Sequence, residues 1–245
     1  MVHDAAERGY GTGTDAYRRA RPGYAAAIVE ALHQSLPDGL VVELGAGTGI
    51  LTAELVGRGH RIVAVEPVAS MRAALAQAVP GVIGSVGRAE AIPVADGAAG
   101  AVVAAQSFHW FDAAAALDEI ARVLVPGGVL AVVWNVRDQS VPWVAAYTEI
   151  TDEFAGDTPR YATLAWRRAI DADIRFVFDG ERFADNPWPT DVDGVVDRAL
   201  STSFIAALDK HTQAEVAARI RDSVAGLGPT FDYPYRSQLH VWRRA

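Results

Sequence analysis

The order of apolar segments in this 245-residue sequence predicts an α/β fold built on an open, doubly wound and mostly parallel sheet. Two observations make the case. Short continuous Val/Ile/Leu/Ala runs, as strands buried on both faces require, alternate with stretches whose apolar residues recur at helical spacing. A cluster of glycines follows the first such run and leads into the next helical stretch. Strand and helix alternating at this pitch mean repeated right-handed βαβ units.

Leu40 to Leu44 is the first predicted strand, Arg61 to Val65 the second and Val82 to Val86 the third. Ala101 to Ala105 makes a fourth, and Val129 to Trp134 a fifth. Ile50 to Val56, Val68 to Val79 and Ala113 to Leu124 are the helices between them. Pro126-Gly127-Gly128 is expected to separate the last of these helices from the strand at Val129. Upstream, Gly23 to Gln34 reads as a helix entered through Arg21-Pro22, proline being favoured in a first turn. Gly9 to Thr14, rich in glycine and threonine, is expected to move when no ligand is bound. Beyond Asn135 the rhythm changes. Helices are expected over Trp143 to Phe154, Tyr161 to Ile170, Asp191 to Leu200 and Thr212 to Val224. Arg182 to Thr190 reads as a strand or loop, and Tyr235 to Arg244 as a closing strand. The third quarter is read as an insertion of helices that covers a site at the strand ends.

Composition narrows the function classes. With 51% hydrophobic and 21% charged residues the chain can bury a core, so disorder is excluded as its main state. A net charge of -8 argues against a duplex nucleic-acid binder, which needs a basic face to displace counterions. The absence of cysteine removes disulfides, thiolate nucleophiles and zinc–thiolate sites. No apolar run approaches the ~18 residues of a membrane span, and the polar N-terminus lacks the apolar core of a signal peptide. The expectation is a cytoplasmic protein.

The segment richest in chemistry is Val41-Val-Glu-Leu-Gly-Ala-Gly-Thr-Gly49, a strand followed by glycines at alternate positions and then a helix. Open parallel sheets bind ligands at the carboxyl ends of their strands. Glycines there remove the Cβ atoms that would keep a ligand off the backbone, and the helix that follows turns free N–H groups the same way. A nicotinamide or flavin fingerprint starting at Gly45 would need Gly or Ala at position 50, where Ile50 stands. A second acid, Glu66, ends the second strand in Val63-Ala-Val-Glu-Pro67, where a carboxylate suits a pair of ribose hydroxyls. A third, Glu90, follows the third strand in Gly87-Arg-Ala-Glu-Ala-Ile-Pro93. With Glu43, that puts carboxylates at three strand ends. They would repel a pyrophosphate and suit a cationic nucleoside.

On these residues the sequence resembles the class I S-adenosylmethionine-dependent methyltransferases, in the small-molecule branch similar to trans-aconitate methyltransferase. The carrying motifs are VVELGAGTG (41–49), VAVEP (63–67), GRAEAIPVADG (87–97), AQSFHWFD (105–112) and RVLVPGG (122–128). The resemblance runs from about Tyr17 to Asn135 and resumes at the C-terminal PYRSQLHVWRR. It implies a Rossmann-like, seven-stranded sheet with helices on both faces and an added helical cap. It divides a single domain into an N-terminal cap (1–36), a cofactor core (37–136), a substrate-cap insertion (137–230) and a closing strand (231–245). It also implies that Gly45, Ala46 and Gly47 line the methionine part of S-adenosylmethionine and that Glu43 orients its ammonium group. Glu66, with Pro67 beside it, would take the ribose, and Ala89 and Glu90 the adenine. Gln106 and Ser107 would pass beside the sulfonium, while Tyr17 and Arg21 cap the cofactor. Arg88 stands where such proteins often carry Asp or Thr, a departure at the adenine contact.

Methyl transfer from a sulfonium is an in-line displacement that needs no metal and no covalent enzyme intermediate, and it releases S-adenosylhomocysteine. Water exclusion calls for an aromatic pocket, for which Trp110, Trp134, Trp143 and Tyr147 are the candidates. His109 is the candidate catalytic base if the acceptor is a hydroxyl, with a purely structural imidazole as the other reading. Arg137, Arg167 and Arg168 are candidates for clamping a substrate carboxylate. Trp143 and Tyr147, at helical spacing, equally suit core packing. The sequence therefore predicts a methyltransferase acting on a small metabolite, at oxygen by preference, as a monomer or homodimer. A cyclase or isomerase using the same cofactor without transfer stays open, as does a binding domain without turnover.

Overall fold

The computed structural model describes residues 20–245, so the expectations for Gly9 to Thr14 and for Tyr17 lie outside the described residues. The elements, in chain order, are α1 (Ala26–Ser35), β1 (Leu40–Leu44), α2 (Ile50–Val56), β2 (Arg61–Val65), α3 (Ala69–Ala78), β3 (Ile83–Ser85) and β4 (Ala99–Ala105). After a single 3₁₀ turn (Phe108–Trp110) come α4 (Ala113–Val123), β5 (Leu124–Arg137), α5 (Pro142–Asp152), α6 (Ala165–Asp171) and β6 (Phe176–Thr190). The chain ends with α7 (Val192–Leu200), α8 (Ser203–Ala206), α9 (Lys210–Val224) and β7 (Phe231–Arg244).

The strands form one seven-stranded sheet in the order β3-β2-β1-β4-β5-β7-β6. β1 pairs in parallel with β2 and β4, β2 with β3, and β4 with β5. The chain therefore winds outward from β1 to β3 and then crosses back to lay β4 against the other side of β1. This reversal is the topological switch point, and ligands of open α/β sheets bind outside the carboxyl ends of the strands that flank it. This is the fold the alternation predicts.

The residues divide into two compact units. The larger comprises 24–134, 159–184 and 237–245. Val41, Ala101, Val103, Val129, Ala131 and Val133 on one face of its sheet pack with Ile28 and Leu32 of α1, Leu51 and Leu55 of α2, and Leu75 of α3. Side chains alternate along a strand, so Leu130, Val132 and Trp134 face the other way. There the Trp134 ring lies 5.2 Å from that of Trp166 on α6. The second unit takes in 20–23, 135–158 and 185–236. Its core joins Val144 and Tyr147 of α5, Val195 and Val196 of α7, Val216 and Ile220 of α9, and Tyr233 and Tyr235 of β7. Aspartates cap its helices: Asp191 accepts from the Gly194 amide at 2.8 Å, and Asp209 from the His211 and Thr212 amides.

Four expectations need correction. β5 does not begin at Val129; it runs from Leu124 through Pro126-Gly127-Gly128, with Ala99 opposite Leu124 and a register shift before Ala101 meets Val129. Pairing with β4 continues across the breaker as an irregularity, which is why a turn signal there does not end the strand. Arg182 to Thr190 belongs to a longer strand that starts at Phe176. The helix expected over Tyr161 to Ile170 is split, because Leu164 adopts φ 52 between the turn at Tyr161–Thr163 and α6. α5 stops at Asp152, so Phe154 falls outside it.

The irregularity makes unequal demands on its two glycines. A Cβ on Gly128 would lie 2.8 Å from the Val125 carbonyl oxygen and 3.0 Å from that of Gly100, whereas one on Gly127 would meet nothing but stand at φ +74. Gly127→Ala is expected to cost about 1 kcal/mol of backbone strain and Gly128→Ala about 2–3 kcal/mol of steric conflict, an order that urea unfolding will check.

Candidate functional site at the carboxyl ends of β1, β2 and β4

Gly45, Gly47 and Gly49 all take positive φ, at 67°, 57° and 86°. L side chains rarely adopt that conformation, so the alternate-glycine pattern is a backbone requirement. Packing adds a second reason at two of them. A Cβ on Gly45 would lie 2.7 Å from the Ser107 Cβ, and one on Gly49 would lie 2.4 Å from Leu75 Cδ1. Ser107 is drawn against the loop because its hydroxyl donates to the Leu44 carbonyl at 2.7 Å. The ends of β1 and β4 thus touch where the glycine is.

Glu66 fixes the other side of the loop. One of its carboxylate oxygens accepts from the Gly47 amide at 2.9 Å and the other from the Val68 amide at 2.8 Å. The Gly45 amide donates to the Val65 carbonyl, and Arg72 braces the turn by donating to the carbonyls of Glu66 and Pro67. Glu43 lies deeper, 1% exposed, and accepts at 2.6 Å from the Thr52 hydroxyl of α2. Burial pushes its pKa up to about 7 against the Thr52 hydrogen bond, and the nearby Glu66 charge adds to the rise. Burial likewise raises Glu66, opposed by its bonds from Val68 and Gly47 and by Arg72. Two buried acids with raised pKa values beside one glycine turn form a place that gains from a positive charge.

Gln106 takes φ 57, uncommon for a residue with a side chain, while its amide donates to the Val133 carbonyl at 2.9 Å. Ala89 is buried, and Glu90 accepts from the Asp112 amide at 3.0 Å. Sequence reasoning missed what holds this stretch. Arg122 of α4 donates to the carbonyls of Val94 and Ile92 and to Asp96, and Glu119 accepts from the Ile92 amide. Arg122 lies in a quoted motif, but only the fold shows what it grips. Thr52 was missed as well; its spacing of nine residues from Glu43 is not a motif.

Comparisons now bear on this geometry. The family described as "Methyltransferase domain" matches residues 42–132. Those residues belong to the class I, S-adenosylmethionine-dependent methyltransferase family. An uncharacterized methyltransferase of Mycobacterium tuberculosis is 46% identical over 143 residues, which cover 58% of this chain and 58% of that protein. An uncharacterized methyltransferase of Schizosaccharomyces pombe is 40% identical over 144 residues, 57% of each chain. The match thus spans little more than half the length of these curated relatives. Among solved structures, a protein of Anaeromyxobacter dehalogenans assigned as a type II methyltransferase superposes with a TM-score of 0.65 at 23% identity, covering 91% of this chain and 96% of its own. The geranyl diphosphate C-methyltransferase of Streptomyces coelicolor, solved with S-adenosylhomocysteine, gives a TM-score of 0.53 at 17% identity, covering 90% of this chain and 76% of its own. At those identities the likeness is one of fold. S-adenosylmethionine is the cofactor of the methyltransferase family, as the motifs imply.

The methyltransferase domain brings Glu43, Gly45, Ala46, Gly47, Glu66, Pro67, Ala89, Glu90, Gln106 and Ser107 into the larger unit, at successive strand ends. His109, Trp110 and Trp134 belong to the same unit, and the His109 ring stands 4.9 Å from Trp110 and 5.3 Å from Trp134. Burial pushes the His109 pKa down to about 3, and its Nδ1 is buried without a hydrogen-bond partner among the described residues. The imidazole is therefore neutral at any working pH. Trp134 itself is fully buried, walled by Tyr161 and Trp166. Arg21, Arg137, Trp143 and Tyr147 fall in the second unit, where Tyr147 is fully buried in the helical core and Trp143 packs on Tyr233 and Phe231. Arg167 is corrected as a clamp. It is paired with Asp171 and Glu181 and lies over the Phe178 and Trp242 rings, so its charge is already matched. Arg168 is exposed on α6.

The raised pKa of Glu43 has a sign that can be measured. The folded chain keeps the Glu43 proton to about pH 7, whereas the unfolded chain releases it near 4.5, so stability falls as pH rises between those values. Glu43→Gln is expected to remove this fall, so that its stability relative to the native chain improves from pH 4.5 to pH 8 by on the order of 2 kcal/mol in urea unfolding without ligand.

Proposed function

We propose that this chain transfers a methyl group from S-adenosylmethionine to an oxygen atom of a small metabolite by in-line displacement. The observation that carries the reading is the pair of buried carboxylates, Glu43 and Glu66, on either side of a turn whose three glycines all take positive φ. The cofactor fits this set: a buried acid pair with raised pKa values gains from a cationic ligand, and the turn keeps Cβ atoms away from it.

When bound, S-adenosylmethionine supplies an electrophilic methyl group on a sulfonium. Gly45, Ala46 and Gly47 lie along its methionine part and Glu43 meets its ammonium group. Glu66 can serve ribose hydroxyls without giving up its present bonds, because each carboxylate oxygen accepts two hydrogen bonds and each has one backbone donor among the described residues. Pro67 fixes the turn beside it, and Ala89 and Glu90 address the adenine. Gln106 and Ser107, at the end of β4, border the methyl group. Orientation of this kind is worth up to roughly 7–11 kcal/mol of the barrier.

His109, Trp110 and Trp134 exclude water around a charge that disappears during transfer. His109 serves there as a neutral hydrogen-bonding group that aims the acceptor, since a base with a pKa of about 3 drives little proton transfer. That weak basicity favours an acceptor oxygen that is already ionised, such as a carboxylate, which takes the methyl group without losing a proton. Among the described residues no helix is long and apolar enough to cross a membrane. The proposed setting is the cytoplasm, as a monomer or homodimer.

Titration calorimetry with S-adenosylhomocysteine is expected to show one site per chain, and Glu66→Ala to weaken it at least roughly tenfold. Near pH 6 binding should release a proton from Glu43, so the heat should vary with the buffer in the native chain and not in Glu43→Gln. A native chain that binds neither S-adenosylmethionine nor S-adenosylhomocysteine would overturn the proposal.

A further inference from the structure

In the second unit one cation has no counter-ion among the described residues. Arg137, at the end of β5, is half-buried, and its guanidinium carbon stands 5.1 Å from the centre of the Tyr147 ring. Among the described residues it makes no ion pair and no hydrogen bond; the ring is its contact. The groups whose charge it feels most are Tyr233, Tyr147, Arg198 and Tyr235, with no carboxylate among them. The other basic groups of the unit around it have protein partners. Arg198 donates to the Tyr235 hydroxyl and to Thr202, and Arg21 to the Ser201 carbonyl.

The tyrosines carry a matching surplus. The hydroxyls of Tyr147 and Tyr233 are buried without a hydrogen-bond partner among the described residues. Their rings meet edge to face, 5.5 Å apart, and Tyr233 lies 4.6 Å from Tyr235. Burial raises both phenol pKa values, so both groups stay protonated and can donate. Leaving a buried hydroxyl unsatisfied is destabilising. A guanidinium whose contact is a ring keeps its N–H groups for other partners, arranged as a fork that fits two oxygens of one anion. A cation and two orphan hydroxyls in one small cluster therefore share one deficit, an acceptor oxygen that bears negative charge.

We infer that Arg137, with the Tyr147 and Tyr233 hydroxyls, forms a subsite for an oxyanion, a carboxylate or a phosphate, within the second unit. Arg137 follows Trp134 by three residues on β5, the strand that leads out of the methyltransferase domain. The chain's net charge of -8 sharpens the point, since anions are otherwise repelled and a local cation must select them.

The test uses the full chain saturated with S-adenosylhomocysteine and three probes of similar size: phenylpropanoate, phenyl phosphate and the neutral phenylpropanamide. At least one anionic probe is expected to bind in calorimetry at least tenfold more tightly than the amide. Preference between the two anions tells a carboxylate ligand from a phosphorylated one. Arg137→Gln should weaken the preferred anion at least tenfold and leave S-adenosylhomocysteine affinity unchanged, with Arg137→Lys recovering part of the loss. Tyr147→Phe should weaken it several-fold with no loss of thermal stability, because the variant removes an unsatisfied hydroxyl. Arg243→Gln, which removes an exposed pair with Asp179, should change nothing. Equal binding of amide and anions, failure of both anions to bind, an unchanged affinity in Arg137→Gln, or an equal drop in Arg243→Gln would each overturn the subsite. If an anion bound through Arg137 to a chain that takes no S-adenosylhomocysteine, the methyltransferase reading would fail and the subsite would stand.

Discussion

The Glu66 carboxylate ties together two turns that local sequence alone would not hold in register. Its two oxygens take the amides of Gly47 and Val68, so the loop after β1 is fastened to the end of β2. The glycine loop can then keep three left-handed residues in a row of five, a shape with no helical or strand ladder of its own. Because those bonds use one lone pair per oxygen, the clamp that shapes the loop keeps acceptor capacity of its own. Burial is the main cause of the raised pKa of Glu43, and the Glu66 charge adds to it. The conformation of the loop and part of its appetite for positive charge thus depend on one side chain.

The parts legible in the sequence are those whose cause is local. Val41 to Gly49 announces a buried strand and a turn that admits only glycine, and the turn is there with positive φ at each predicted glycine. Asp191 marks a helix start by chemistry confined to three residues, whereas the helix expected from Thr212 begins at Lys210, under the Asp209 cap. The illegible parts are those decided between distant segments. Pro126-Gly127-Gly128 carries a breaker signal, but pairing of Leu124 with Ala99 outweighs it and the strand continues. Arg167 looks like a free cation until Glu181, on β6, is folded against it. Periodicity left Trp143 and Tyr147 open between core and pocket; the fold buries Tyr147 completely, and only its unpaired hydroxyl keeps a polar role in view.

Two kinds of buried polar group coexist in this chain, and they have different uses. Thr52 with Glu43, and Glu119 with Arg122, are satisfied pairs that set geometry. His109 Nδ1, the Thr48 hydroxyl and the hydroxyls of Tyr147 and Tyr233 have no hydrogen-bond partner among the described residues. Native interiors pair nearly all such groups, so unpaired ones are informative about what else the molecule meets. Here they fall in two places, by the glycine turn and its neighbouring 3₁₀ turn, and in the tyrosine cluster of the second unit. Arg122 shows the opposite economy, gripping three carbonyl or carboxylate partners from one loop so that Ala89 and Glu90 have a fixed base.

The close approach of Gly45 and Ser107 carries a consequence for how such a chain can change over time. The space for a methyl group at 45 is filled by the Cβ of 107, and the Ser107 hydroxyl is anchored to the Leu44 carbonyl. The two positions therefore form a size-matched pair across adjacent strands, and neither can drift to a larger residue by single steps. Change at either position therefore requires a compensating change at the other. An engineer altering the acceptor range would do well to leave 45 and 107 as they are and randomise around them.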